Sequence, residues 1–335
     1  MQKTRTITEQ EILSEARRLH ESLRHLGYSL NDCLPFAPYT LRINELKKRK
    51  NAVILAHNYQ RPEILFGIAD YKGDSLALSK NALSTDAETI VFCGVHFMAE
   101  TAKILNPGKK VLLPDLRAGC SLDESITAED VRQLKAKHPG VPVITYVNTS
   151  ASVKAESDVI CTSANALKVI EALPDRKVIF IPDEFMAKNL AKVSTKEIIS
   201  WNGKCIVHES FTGKQVDEYR SAYPGLKVLS HLECPPEVIE RSDLVGGTSD
   251  MSKYIEKSDE KQFMLVTECG MSDMLKVQHP EKDFIVPCSI CPHMKRINLE
   301  NVLEVLEKET NEITVPEETA AKARKALDRM LELTG

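Results

Sequence analysis

Three stretches of the chain repeat one order of signals, spaced about 85 residues apart. The first runs from Val53-Ile54-Leu55-Ala56-His57-Asn58-Tyr59 to Cys120, the second from Val143-Ile144-Thr145-Tyr146-Val147-Asn148 to Cys205, and the third from Val228-Leu229-Ser230-His231-Leu232-Glu233 to Cys291. Each opens as a short apolar strand that ends in polar side chains. Asp70, Asp158 and Asp243 follow, and five residues after each comes a hydroxyl, Ser75, Ser163 or Thr248, expected to open a helix. A second apolar strand then leads to a helix beginning near Met98, Met186 or Met271, and a last strand leads to the cysteine. Several features matching in register argue for a true internal repeat rather than generic strand–helix alternation.

Strand–helix alternation predicts parallel sheets with helices on both faces. The fold class expected is therefore α/β: three three-layer αβα domains with short parallel sheets, related by a pseudo-threefold axis. Functional groups in such sheets gather at the carboxyl ends of strands, so the active site belongs at the central junction. The expected units are an N-terminal helical extension over 1–40, repeats over 41–125, 126–210 and 211–310, and a C-terminal helix over 311–335. The extension carries a helix near Thr8 to Leu26, and the last helix runs from about Pro316 to Leu333. Their apolar stripes (Ile12, Ala16, Leu19, Leu23 and Ala320, Ala323, Leu327, Leu331) read as packing faces.

Charge narrows the function. Lys plus Arg number 44 against 48 Asp plus Glu, and no basic run or stripe is present, which disfavours nucleic acid. No apolar stretch approaches a membrane span and no secretory leader pattern opens the chain, so a cytoplasmic protein is expected. The GxGxxG and GxxxxGK[ST] phosphate loops are missing, which disfavours a dinucleotide enzyme.

Nine cysteines, an odd number in a reducing compartment, do not read as a disulfide framework. Cys288 and Cys291 form the one close pair, with buried thiols, a redox pair and metal ligation all open. Three thiolates converging from three repeats suit a cubane iron–sulfur cluster with one iron left open as a Lewis acid. Zinc held by three cysteines and His208 competes with that reading. His57, Tyr59, Tyr146, Asn148, His231 and Glu233, at or just past the opening strands, form a set able to move protons and hold an oxyanion. Each alone also reads as an ordinary hydrogen-bonded residue, and Ser75, Ser163 and Thr248 as plain helix caps. Gathered on one axis, the hydroxyls and helix N-termini would accept phosphate or carboxylate.

The chain resembles the quinolinate synthase family across about Leu41 to Leu306. The resemblance is carried by Ala56-His57-Asn58-Tyr59-Gln60, Gly73-Asp74-Ser75-Leu76, Gly94-Val95-His96-Phe97-Met98, Ala118-Gly119-Cys120-Ser121-Leu122, Tyr146-Val147-Asn148-Thr149, Cys161-Thr162-Ser163-Ala164-Asn165, Trp201-Asn202-Gly203-Lys204-Cys205 and Cys291-Pro292-His293-Met294-Lys295. It implies condensation of iminoaspartate with dihydroxyacetone phosphate to quinolinate, phosphate and water, in NAD biosynthesis. It also implies a 4Fe-4S cluster on Cys120, Cys205 and Cys291. His57, Ser75, Ser163 and Thr248 would hold carboxylate or phosphate groups, Tyr59, Tyr146, Asn148, His231 and Glu233 would line the site and move protons, and His208 would lie near the cluster. Leu232 departs from the proline usual after the histidine, and His293 from the usual aromatic. Pairing of Cys288 with Cys291 in oxidised protein would strip the cluster, and Cys33, Cys93, Cys161, Cys234 and Cys269 are expected as buried or neighbouring thiols. An L-aspartate oxidase is an expected transient partner. The competing readings are another 4Fe-4S hydro-lyase, a cluster sensor or electron carrier, and a structural zinc protein.

Overall fold

The computed structural model describes residues 6–334. Twelve strands form three four-stranded sheets among the described residues. The first holds β1 (Ala52–His57), β2 (Tyr71–Gly73), β3 (Thr89–Cys93) and β4 (Lys110–Leu112); the second β5 (Val143–Tyr146), β6 (Val159–Cys161), β7 (Lys177–Ile181) and β8 (Glu197–Ser200); the third β9 (Lys227–His231), β10 (Leu244–Gly246), β11 (Gln262–Val266) and β12 (Asp283–Ile285). The spatial orders are β2-β1-β3-β4, β6-β5-β7-β8 and β10-β9-β11-β12, every pairing parallel. The expected α/β class, with three parallel sheets flanked by helices, is what the chain adopts.

The repeated aspartate has a structural role. Asp70, Asp158 and Asp243 each accept the backbone N–H at or near the start of the central strand (Ile54, Val143 and Val228) at 2.8, 2.7 and 2.8 Å. Each also donates its own N–H to the carbonyl of that same residue, and each pairs with a cation, Lys47, Lys135 or Arg220. The two-way clasp fixes where the outer strand returns beside the central one. With that geometry fixed, the strand order reverses between β1 and β3, β5 and β7, and β9 and β11, and a parallel sheet opens its ligand crevice outside the carboxyl ends at such a point. Central strands covered on both faces are mostly apolar: Ile54, Phe180 and Phe263 are fully buried.

Helix Glu9–Leu23 starts at Thr8 in a capping box and buries Ala16, Leu19 and Leu23, with Ile12 at the rim; a separate 3-10 turn, Arg24–Leu26, replaces its expected last turn. The turn ends at Gly27, whose φ of +84° lies in the left-handed region that glycine adopts freely. Helix Glu317–Thr334 buries Ala323 and Leu327 against helix Ala151–Glu156 and β6, with Ala320 and Leu331 half-buried beside them.

The expectation that the repeated hydroxyls open helices holds for Ser75 and Thr248 and fails for Ser163. Helices Ser75–Ser84 and Thr248–Lys257 are capped by Asp74 and Gly247, so Ser75 and Thr248 stand at the first helical position and are not the caps. Ser163 opens no helix: Asn165 accepts the N–H of Thr162 through its side chain and folds the segment into a turn just before helix Ala166–Ala172.

Candidate active site

The carboxyl ends of all three sheets face one cavity. His57, Tyr59, Tyr146, Asn148, His231 and Glu233 line it from beyond β1, β5 and β9, and Ser75, Ser163 and Thr248 from beyond β2, β6 and β10. Cys120, Cys205 and Cys291 line it from the segments after β4, β8 and β12. The strand-end groups, the three hydroxyls and the three cysteines of the repeats thus meet on one surface. The repeat explains the division of labour, since equivalent strands deliver equivalent groups.

Within the cavity the polar groups form a continuous hydrogen-bonded chain. The Tyr146 hydroxyl donates to Glu233 Oε1 at 2.6 Å, Glu233 Oε2 lies 2.8 Å from His208 Nδ1, His208 Nε2 lies 3.0 Å from the Thr267 hydroxyl, and that hydroxyl lies 2.7 Å from the Tyr59 hydroxyl. The His231 ring stacks on His208 with centroids 4.6 Å apart, and its Nδ1 is 3.7 Å from Glu233 Oε1. Burial would raise the Glu233 carboxyl, but the neighbouring His208 and His231 rings and the hydrogen bonds from His208 and Tyr146 hold it below the usual carboxylate range. Burial lowers His57 and His231 to about 4, leaving both rings neutral at physiological pH. Burial, reinforced for Tyr146 by the Glu233 charge, keeps the Tyr59 and Tyr146 phenols protonated well above their ordinary range. One buried carboxylate is therefore bonded to an un-ionised phenol, an arrangement able to take a proton at one atom and return one from the next.

The three cysteines share one local design. Each sulfur accepts from the backbone N–H groups two and three residues further on: Leu122 and Asp123 for Cys120, Val207 and His208 for Cys205, His293 and Met294 for Cys291. Burial pushes all three thiols up, and those N–H groups oppose it. Donors aimed at a sulfur favour its anionic form, so the trio fits thiolate ligation of a cluster from three sides. Cys205, His208 and Glu233 also bring ligand atoms within 4.8 Å of one another, a grouping that suits a lone cation. In that grouping His208 Nδ1 lies 3.2 Å from Cys205 Sγ, while its Nε2 faces away to the Thr267 hydroxyl.

The pairing expected of Cys288 is overturned. Cys288 is bonded to Cys269, while Cys291 is free. Glu268 and Ser289 form a parallel bridge beyond β11, and the Cys269 N–H donates to the Ser289 carbonyl at 3.2 Å, which leaves the Cys269 and Cys288 Cα atoms 5.4 Å apart. Cys269 is therefore no free thiol, and this is the one disulfide among the described residues; Cys33, Cys93, Cys161 and Cys234 are buried free thiols as expected.

Against known proteins, the profile described as quinolinate synthetase A protein matches residues 41–332. The chain belongs to the quinolinate synthase family. It is 56% identical over 289 residues to quinolinate synthase 1 of Mesorhizobium japonicum, covering 86% of this chain and 89% of that protein. It is 55% identical to the quinolinate synthase of Xylella fastidiosa over 86% of this chain and 85% of that protein, and 54% identical to that of Agrobacterium fabrum over 87% and 84%. Family membership makes the chain an enzyme, of the transferase class. No helix among the described residues is long and apolar enough to cross a membrane.

Beyond the family motifs, the structure adds residues that the sequence left unremarked. Thr267 joins Tyr59 to His208, and Glu268 accepts the Cys291 and Gly270 N–H groups at 3.2 and 2.6 Å while pairing with Lys295 at 3.2 Å. Both lie just past β11, Glu268 at the position equivalent to Asp183 past β7, so the repeat register was the signal available for Glu268. Asp74, the helix cap, also reaches the cavity wall. Of the two departures from the family pattern, Leu232 keeps its N–H on the Gly246 carbonyl, and the His293 ring lies against Gly119.

Proposed function

We propose that the chain is a quinolinate synthase in the full sense, condensing iminoaspartate with dihydroxyacetone phosphate to quinolinate with loss of phosphate and water, within NAD biosynthesis. The observation that carries the reading is the meeting of three N–H-supported thiols with a buried carboxylate, phenol and histidine set in one cavity. Cys120, Cys205 and Cys291 would hold a 4Fe-4S cluster, which supplies Lewis-acid activation of a substrate oxygen through the iron that no cysteine holds. His57, Ser75, Asn148, Ser163 and Thr248 bind the carboxylate and phosphate groups, helped by the N-termini of helices Ser75–Ser84 and Thr248–Lys257. Glu233 takes the proton released as the condensed intermediate isomerises. Glu233 returns that proton through the Tyr146 hydroxyl bonded to it to the departing hydroxyl, while neutral His231 lies beside Glu233 and Tyr59 serves the far end of the chain. The repeats over 41–125, 126–210 and 211–310 each supply one thiol and one set of strand-end groups. Iminoaspartate hydrolyses readily, so an L-aspartate oxidase is the proposed source. The test is quinolinate formation by anaerobically purified, iron-reconstituted protein given dihydroxyacetone phosphate and freshly generated iminoaspartate, beside Cys291→Ser. Product from the parent alone supports reaction and cluster together. A brown, iron-loaded parent without product points to another hydro-lyase, and a colourless, zinc-loaded, oxygen-indifferent protein to the zinc reading.

A further inference from the structure

Glu233 is placed by a residue from another sheet's unit. Asn189, on helix Glu184–Ala191 beside the second sheet, is buried, and its side-chain amide donates to the Leu232 carbonyl at 3.0 Å and to the Cys234 carbonyl at 2.9 Å. Those two carbonyls bracket Glu233. The turn they belong to begins at the end of β9 and closes where the Cys234 N–H donates to the His231 carbonyl at 3.0 Å. The amide orientation is forced, because the reverse would set Asn189 Oδ1 against two carbonyl oxygens. Oδ1 is left buried with no hydrogen-bond partner among the described residues, an unfavourable state that the donated pair must outweigh. Only a planar amide with two N–H groups spans two carbonyls two residues apart; a hydroxyl or a longer chain does not reproduce that fork.

We propose that Asn189 is a positioning residue that fixes the backbone around Glu233, and through it the distances from the carboxylate to Tyr146 and His208. The inference rests on Glu233 being the acid and base of the proposed reaction. A misplacement of about 1 Å costs on the order of 100-fold in rate, so the clamp acts on turnover more than on substrate affinity. Asn189→Ala removes both donors, and Asn189→Asp, equal in size, turns donors into acceptors facing two carbonyls.

The experiment combines each variant with Glu233→Asp, whose shorter side chain already misplaces the carboxylate, and reads kcat, KM, cluster absorbance and amide hydrogen exchange. The expected result is a kcat about 10- to 100-fold lower in Asn189→Ala, lower still in Asn189→Asp, with KM and absorbance near parental values and little further loss when either is added to Glu233→Asp. Exchange should quicken in the 231–236 segment and stay parental over 146–150. Parental kcat in both Asn189 variants, losses that multiply fully with Glu233→Asp, or unchanged exchange at 231–236 would overturn the proposal. A parent that makes no quinolinate defeats the functional reading instead; the exchange data then still decide whether the clamp exists.

Discussion

Replacing Glu233 by Gln should separate catalysis from folding. The side chain is buried and keeps its size in the substitution, so no cavity opens. What is lost is the charge in two short contacts, 2.6 Å to Tyr146 and 2.8 Å to His208. A hydrogen bond to a charged group contributes about 1.5–3 kcal/mol against about 0.5–1.5 for a neutral one. The two contacts together therefore weaken by roughly 2–3 kcal/mol, and removing the desolvation cost of a buried carboxylate offsets a similar amount. The thermal midpoint should stay within a few degrees of the parent. Turnover should fall about 10²- to 10⁴-fold, or roughly 3–5 kcal/mol in barrier, because the amide neither takes nor returns a proton. The assay pairs quinolinate formation by anaerobic, iron-loaded protein with its visible absorbance and a melting curve. Parental turnover in a variant that retains the cluster would refute the acid–base assignment. A collapsed melting curve would refute the energetic reasoning.

Further outcomes follow from the same geometry. Cys120→Ser, Cys205→Ser and Cys291→Ser should each lose bound iron on elemental analysis, whereas Cys33→Ser and Cys161→Ser, at buried free thiols, should keep it; iron retained in the first set would break the ligand assignment. Burial holds folded His57 at about 4 against an ordinary 6.5, so the unfolded chain takes up the proton first as pH falls, and stability present above pH 6.5 is lost towards pH 4. His57→Gln should reduce that acid loss, read from urea midpoints, by about 3 kcal/mol, and identical pH slopes would contradict a neutral buried ring. At Gly270, a Cβ would stand 2.9 Å from the backbone of Tyr59, so Gly270→Ala should cost about 1–3 kcal/mol and lower turnover by displacing Tyr59; parental values for both would mean the contact relaxes freely.

The repeat made much of the architecture legible. Apolar runs ending in His57, Tyr146 and His231 recur in register with Asp70, Asp158 and Asp243, and each aspartate has a local job, clasping the start of a central strand, that spacing alone can reveal. The candidate site followed because parallel sheets present the residues after their strands at one end. Spacing did not reveal the caps: Asp74 bonds the Ala77 N–H ahead of Ser75, Gly247 stands before Thr248, and Asn165 bonds the Thr162 N–H and turns the chain at Ser163.

The sequence by itself determined which groups arrive together, because strand periodicity and repeat spacing are local properties written into the order of residues. Pairings across sheets were decided only in three dimensions. Cys269 meets Cys288, and not Cys291 with Cys288, because the segments after β11 and β12 run side by side. Thr267 bridges Tyr59 and His208, and Asn189 brackets Glu233, through contacts between residues from different units. Such contacts depend on how the sheets' units pack against one another, and no period in the chain encodes that packing.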